Sequence, residues 1–306
     1  MGRPGAERHA LTLRRCAGRC PCDVMLLLGC DFTSAPSRRK PITLALGRRQ
    51  GSVVVLVDVL AFDTHAAWRG WLAQAASAHG ADAWVGGFDL PFGLPRELVQ
   101  TLGWPTDWLA CMRHYASLSR EDIRATFAAF CAARPVGAKF AHRATDGPAG
   151  SSPSMKWVNP PVAFMLHAGV PALIDAGVSL PGLHRADPSR VALEAYPGYV
   201  ARSVLGARSY KSDSKAKQTP DRLIARKDLL EALEQGRAPL LAAVGLRLRV
   251  SHAQRDALVA DASGDRIDAV LCLLQAAWGH RQHEQGHPRW GLPACDGLEG
   301  WIVGVP

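Results

Sequence analysis

Three β-rich runs crowd the stretch from Met25 to Phe62, and the connections between them are too short to hold a helix. They read "MLLLGCDF", "PITLALGRR" and "GSVVVLVDVLAF", and the last two are separated by a turn with glycine at each end. A parallel crossover takes a dozen or more residues, so these runs are confined to an antiparallel meander. "HAAWRGWLAQAASAHG" follows with helical spacing, which puts Trp68, Trp71, Leu72 and Ala75 on one face and Gly80 at the end. "ADAWVGGFDLPFGLP" then returns as a strand that stops at Asp89.

The pattern continues less regularly. "SREDIRATFAAFCAA" predicts a helix with Ser119 and Asp122 in capping-box positions. "RPVGAKFAHRATDGPAGSSPSMKW", rich in Gly, Pro and Ser, reads as a long surface loop, and "PPVAFMLHAGVPALIDAG" as a helix interrupted at Pro171. "RVALEAYPGY" is a strand ending near Glu194. Thr219 as N-cap, Pro220 at the first helical position and Gly236 as stop bound a further helix. "GDRIDAVLCLLQAAWGH" is another, with Val270, Leu271, Leu274 and Ala277 turned to the sheet. No internal repeat or linker divides the chain, so residues 25–306 read as one α/β domain with an insertion over about 104–185.

At 48% hydrophobic and 21% charged, the 306 residues have the make-up of a globular protein. No apolar run is long enough to span a bilayer, so no membrane partner is expected and the cytoplasm is the expected location. Residues 1–24 supply +3 of the net charge of +9, and a basic body permits nucleic-acid or phosphate binding without requiring it. Eight cysteines make no disulfide framework in so long a chain, and Cys111, Cys131 and Cys272 read as buried thiols. Cys16, Cys20 and Cys22 lack the second ligand pair of a structural zinc site. Residues 1–24 read as a disordered extension, or as preceding a true start at Met25.

Acids recur at strand ends. Asp31 closes the first strand, Asp89 closes the strand after the first helix, and Glu194 sits in the later strand. Ligands of open α/β sheets collect at the carboxyl ends of strands. Asp265 and Asp268, three apart, share one face of the late helix. Carboxylates packed together resist ionisation unless a cation neutralises them. Hard oxygen ligands suit Mg²⁺ or Mn²⁺, and two such ions clamp the attacking and leaving oxygens of a phosphoryl displacement. Taken singly, each aspartate also reads as a helix cap or turn residue.

"GCDFTSA", "GFDLPFGLP", "LEAYPGY", "DRIDAVLCLLQAAW" and "DGLEGWI" stand in the order in which the DUF429 family of predicted nucleases carries them. The chain resembles that family from about Leu27 to its C-terminus. The family is placed in the ribonuclease H-like superfamily. The resemblance implies a mixed five-stranded sheet, three antiparallel strands followed by two parallel, with helices on both faces. It also implies metal-ligand roles for Asp31, Asp89 and Asp268, with Asp265 as a second helix ligand, as in the superfamily's junction resolvases. Glu194 matches a family position that either binds metal or orients a loop. The acid that ribonuclease H proper carries on its first helix has no counterpart, since "HAAWRGWLAQAASAHG" contains none. That departure favours a resolvase-like arrangement with Glu194 as substitute.

Arg143 and His142, in "HRATD", are candidates for a scissile phosphate, because Arg pairs with phosphate oxygens in a bidentate way. Lys211 leads a basic stretch between Arg202 and Lys227 that suits a nucleic-acid backbone, or else a solvated loop. His280, His283 and His287 lack a fourth zinc ligand. The expectation is a Mg²⁺- or Mn²⁺-dependent nuclease that hydrolyses DNA or RNA phosphodiesters by a two-metal mechanism. The alternatives are an actin-like or sugar-kinase-like ATP-binding protein, which needs a second copy of the domain, and a non-catalytic nucleic-acid binder of the same fold.

Overall fold

A computed structural model describes residues 25–306. The readings made for residues 1–24, including Cys16, Cys20 and Cys22, lie outside the described residues. The strands are β1 (Met25–Asp31), β2 (Ile42–Gln50), β3 (Val53–Phe62), β4 (Ala83–Asp89), β5 (Val178–Ser179), β6 (Asp187–Glu194) and β7 (Arg247–Arg249). They form one mixed sheet in the order β5-β6-β4-β1-β2-β3-β7. The meander is antiparallel, β1 with β2 and β2 with β3. β4 lies parallel to β1, and β6 parallel to β4. The α/β class stands, but the sheet has seven strands where five were expected. The additional β5 and β7 are two and three residues long and run parallel to β6 and β3.

β1 is buried on both faces, which explains its unbroken apolar run. Leu26, Leu28 and Cys30 enter one core with Trp68, Trp84, Phe88 and the helices Trp108–Ser117, Arg120–Ala132 and Val162–Asp175. Leu27 enters the other, with Val85, Leu193 and the helices Pro197–Leu205, Pro220–Glu234 and Asp265–Glu284. The Ser119–Asp122 capping box forms as expected. Cys111, Cys131 and Cys272 are buried free thiols.

Two readings are corrected. The helix Val162–Asp175 runs through Pro171, because buried Phe164, Leu166, Val170 and Leu173 hold both halves against one core. The segment from Arg134 to Trp157 is a surface loop only in its first part, as far as Phe140. Beyond it Arg143, Thr145, Asp146, Ser154 and Met155 are at most 3% exposed, with Arg143 bonded to Glu194 and Thr145 to Ile302. Among the described residues, no helix is long and apolar enough to cross a membrane.

Candidate functional site

Asp31 and Asp89 are register partners at the ends of adjacent parallel strands. Paired residues of neighbouring strands point to the same face, and the strands lie about 4.8 Å apart, so the two carboxylates stand side by side. Two residues earlier, Gly29 and Gly87 are also register partners. A Cβ on Gly29 would lie 2.1 Å from the Ala269 carbonyl oxygen and from the Leu273 nitrogen, and one on Gly87 2.3 Å from the Cys272 oxygen. The long helix Asp265–Glu284 therefore rests its backbone directly on the sheet at these glycines. Its first turn, which carries Asp265 and Asp268, lies over the two strand ends. The repeated Gly-x-Asp of "GCD" and "GFD" is the sequence signature of this contact, and the sequence reading above did not use it.

Crowding shows in the acidities. Burial pushes Asp31 well above the usual aspartate range, Asp268 and Asp89 push it further, and Lys211 opposes them. Asp89 rises to about 7 through burial and Asp268, with Lys211 opposing and Glu194 adding. Asp268, fully buried, accepts the Tyr210 hydroxyl on Oδ1 and the Lys211 ammonium on Oδ2. Burial alone would lower the Lys211 pKa, but Asp268, Asp31 and Asp89 hold it protonated. Asp265 sits at the margin of the group. It is raised by burial, opposed by Lys40 and raised further by Asp261 and Asp268.

Glu194 and Arg143 have different work. Arg143, 3% exposed, engages all five of its N–H donors: two reach Glu194 at 2.8 and 2.7 Å, two reach Asp146 Oδ1 at 3.2 and 2.9 Å, and one reaches the Glu299 carbonyl at 3.1 Å. No donor is left over for a phosphate. Glu194 Oε2 also accepts the Phe92 backbone N–H at 2.9 Å, so Glu194 orients the loop that leaves Asp89. The C-terminal "DGLEGWI" braces the same unit. The Glu299 carboxylate accepts the backbone N–H groups of Arg96 and Ala144 at 2.8 and 3.0 Å, and Ile302 bridges to Glu194. Tyr210 and Glu299 are site residues that the sequence reading missed.

A cleft of about 230 Å³ opens beside Asp89 and Lys211, with Glu194 and Ser151 on its wall and Pro91, Val162, Met165 and Tyr196 as its apolar side. His142 is exposed and does not line it. His283 stacks on Trp290 at 4.1 Å, and His287 Nδ1 accepts the Gly291 N–H at 3.0 Å. Among the described residues, no three His, Cys, Asp or Glu side chains converge closely enough to hold one ion. The four-aspartate ligand set is thus not assembled around one point, and Tyr210 and Lys211 occupy the Asp268 oxygens. Asp31 and Asp89 alone do suit a hard divalent cation, since Mg²⁺ is commonly held by one or two carboxylates plus water. Their raised pKa values mark carboxylates that resist ionisation in a buried, crowded setting, a cost that a cation would relieve. No protein-family model, curated protein or solved structure matches the chain.

Proposed function

We propose that this protein is a Mg²⁺- or Mn²⁺-dependent nuclease that hydrolyses phosphodiester bonds. The observation that carries the reading is the register pairing of Asp31 with Asp89 beneath the Asp268 end of the long helix. The sheet supports it too. Without its short edge strands it runs β3-β2-β1-β4-β6, antiparallel on one side of β1 and parallel on the other. That is the layout expected of a ribonuclease H-like protein and of the DUF429 resemblance.

Asp31 and Asp89 would hold the ion, with Asp89 on the wall of the cleft. When bound, the ion supplies Lewis-acid polarisation of the phosphoryl group and eases ionisation of a water. Glu194 and Arg143 keep the loop after Asp89 in place. Two basic segments flank the acids. Arg38, Arg39 and Lys40 lie on one and Lys211, Lys215 and Lys217 on the other, joined by a 3.0 Å Lys40–Asp213 ion pair. Basic flanks around an acidic centre favour a polyanionic substrate, which supports DNA or RNA.

The test is a cleavage panel of single-stranded and duplex DNA and RNA with Mg²⁺ or Mn²⁺. Asp31→Asn and Asp89→Asn are expected to lower the rate about a thousand-fold, the scale of several kcal/mol of lost charge stabilisation. Both variants should keep a cooperative melt. Undiminished cleavage in either folded variant would overturn the proposal.

A further inference from the structure

We infer that Lys211 is a built-in cation of the carboxylate group and takes the place of a second divalent ion, so that the site binds one Mg²⁺ or Mn²⁺. This inference rests on the metal-site reading above. The Lys211 ammonium contacts Asp268 directly, on the oxygen that the Tyr210 hydroxyl leaves free.

The position of Lys211 is fixed by its surroundings rather than left to a mobile chain. The preceding residue, Tyr210, is 6% exposed and donates its hydroxyl to the other Asp268 oxygen. Its carbonyl accepts Arg226 Nη1 at 2.7 Å, and Arg226 Nε reaches the Val259 carbonyl at 2.8 Å. The Lys211 carbonyl accepts Arg222 Nη1 at 3.0 Å, and the Ser212 N–H donates to the Ala262 carbonyl at 3.0 Å. Gly264, just before the long helix, has φ +81°, and a Cβ there would lie 2.6 Å from the Lys211 Cβ. The lysine backbone is thereby held against the turn that launches Asp268, with the side chain 42% exposed.

Both Asp268 oxygens are taken, Oδ1 by the Tyr210 hydroxyl and Oδ2 by the Lys211 ammonium, so this carboxylate offers no free atom to a second ion. A second ion would have to displace the ammonium from Asp268, against an ion pair whose lysine is anchored on both sides.

The experiment is a Mn²⁺ titration of chelator-stripped protein, read by calorimetry and by metal analysis after equilibrium dialysis. Wild type is expected to bind one Mn²⁺ per chain, Lys211→Arg one, and Lys211→Met two. Two ions bound to wild type, or Lys211→Met still binding one with unchanged affinity, overturns the inference and leaves the metal-site reading standing. Wild type binding no Mn²⁺, or binding it as well when Asp31 and Asp89 are both asparagine, removes the metal-site reading and the inference together. Wild-type stoichiometry alone decides the matter if Lys211→Met does not fold.

Discussion

Arg143 shows how a single residue's partners decide between two roles that sequence leaves open. A guanidinium in a loop invites a phosphate, but this one is closed off by Glu194, Asp146 and the Glu299 carbonyl. Removing one member of a buried ionic group leaves uncompensated charge behind and costs about 3–5 kcal/mol. Arg143→Ala should therefore lower the urea midpoint by a corresponding amount at pH 7. Arg143→Lys should recover only part of it, because an ammonium has three donors and cannot repeat the planar fork. A raised KM for cleavage with an unchanged urea midpoint in Arg143→Lys would show the phosphate role instead. Asp146 lies within "HRATD", but nothing local announces Glu194 and Glu299, which stand 51 and 156 residues away.

At the scale of elements, the site depends on how closely the long helix approaches the sheet. Gly29→Ala and Gly87→Ala would each push a methyl group into the helix backbone, which cannot step aside as a side-chain tip can. Overpacking of this kind costs about 1–3 kcal/mol. Lifting the helix also moves Asp268 away from Asp31 and Asp89, so Mn²⁺ affinity should fall further than the melting temperature alone suggests. Gly70, exposed within the helix His65–Leu72 and with nothing within 4 Å of its Cβ position, is the control. Gly70→Ala should be stabilising by about 0.4–1 kcal/mol. Equal effects at Gly70 and Gly29 in parallel melts would refute the close-approach account. The elements themselves were legible because their periods are clean. β1 to β4, β6 and the capped helices follow from apolar spacing and from Ser119, Thr219 and Gly236. β5 and β7 escaped because two or three residues carry no period, and their pairing is set by the strands they flank. In the site, the aspartates were visible at strand ends. Their register was not, since it is fixed by packing between strands 58 residues apart in sequence.

Across the whole molecule, the same crowding sets how stability varies with pH. Asp89 stands at about 7 when folded against an ordinary 3.8, and Asp31 is raised in the same direction. Below about 4 both states hold the Asp89 proton. Between about 4 and 7 the unfolded chain releases it and the folded one keeps it, so stability falls as pH rises through that window and levels off above it. Other groups act over the same range. Burial lowers the pKa of His65, His167 and His280, so their contribution runs the other way, stability being lost as pH falls. Asp296, lowered by its hydrogen bonds from Arg96, changes only at lower pH. The informative quantity is thus the difference between wild type and Asp89→Asn, in which the histidines cancel. In metal-free buffer, the melting temperature of wild type relative to Asp89→Asn should decline from pH 5 to pH 8. On the proposed reading Mn²⁺ binds the ionised pair and has fewer protons to displace at pH 8 than at pH 5, so it should raise the wild-type melting temperature more at pH 8. A relative melting temperature that is flat across this range, or a Mn²⁺ effect equal at both ends, would mean that Asp31 and Asp89 are not the crowded, cation-binding pair proposed from the register at their strand ends.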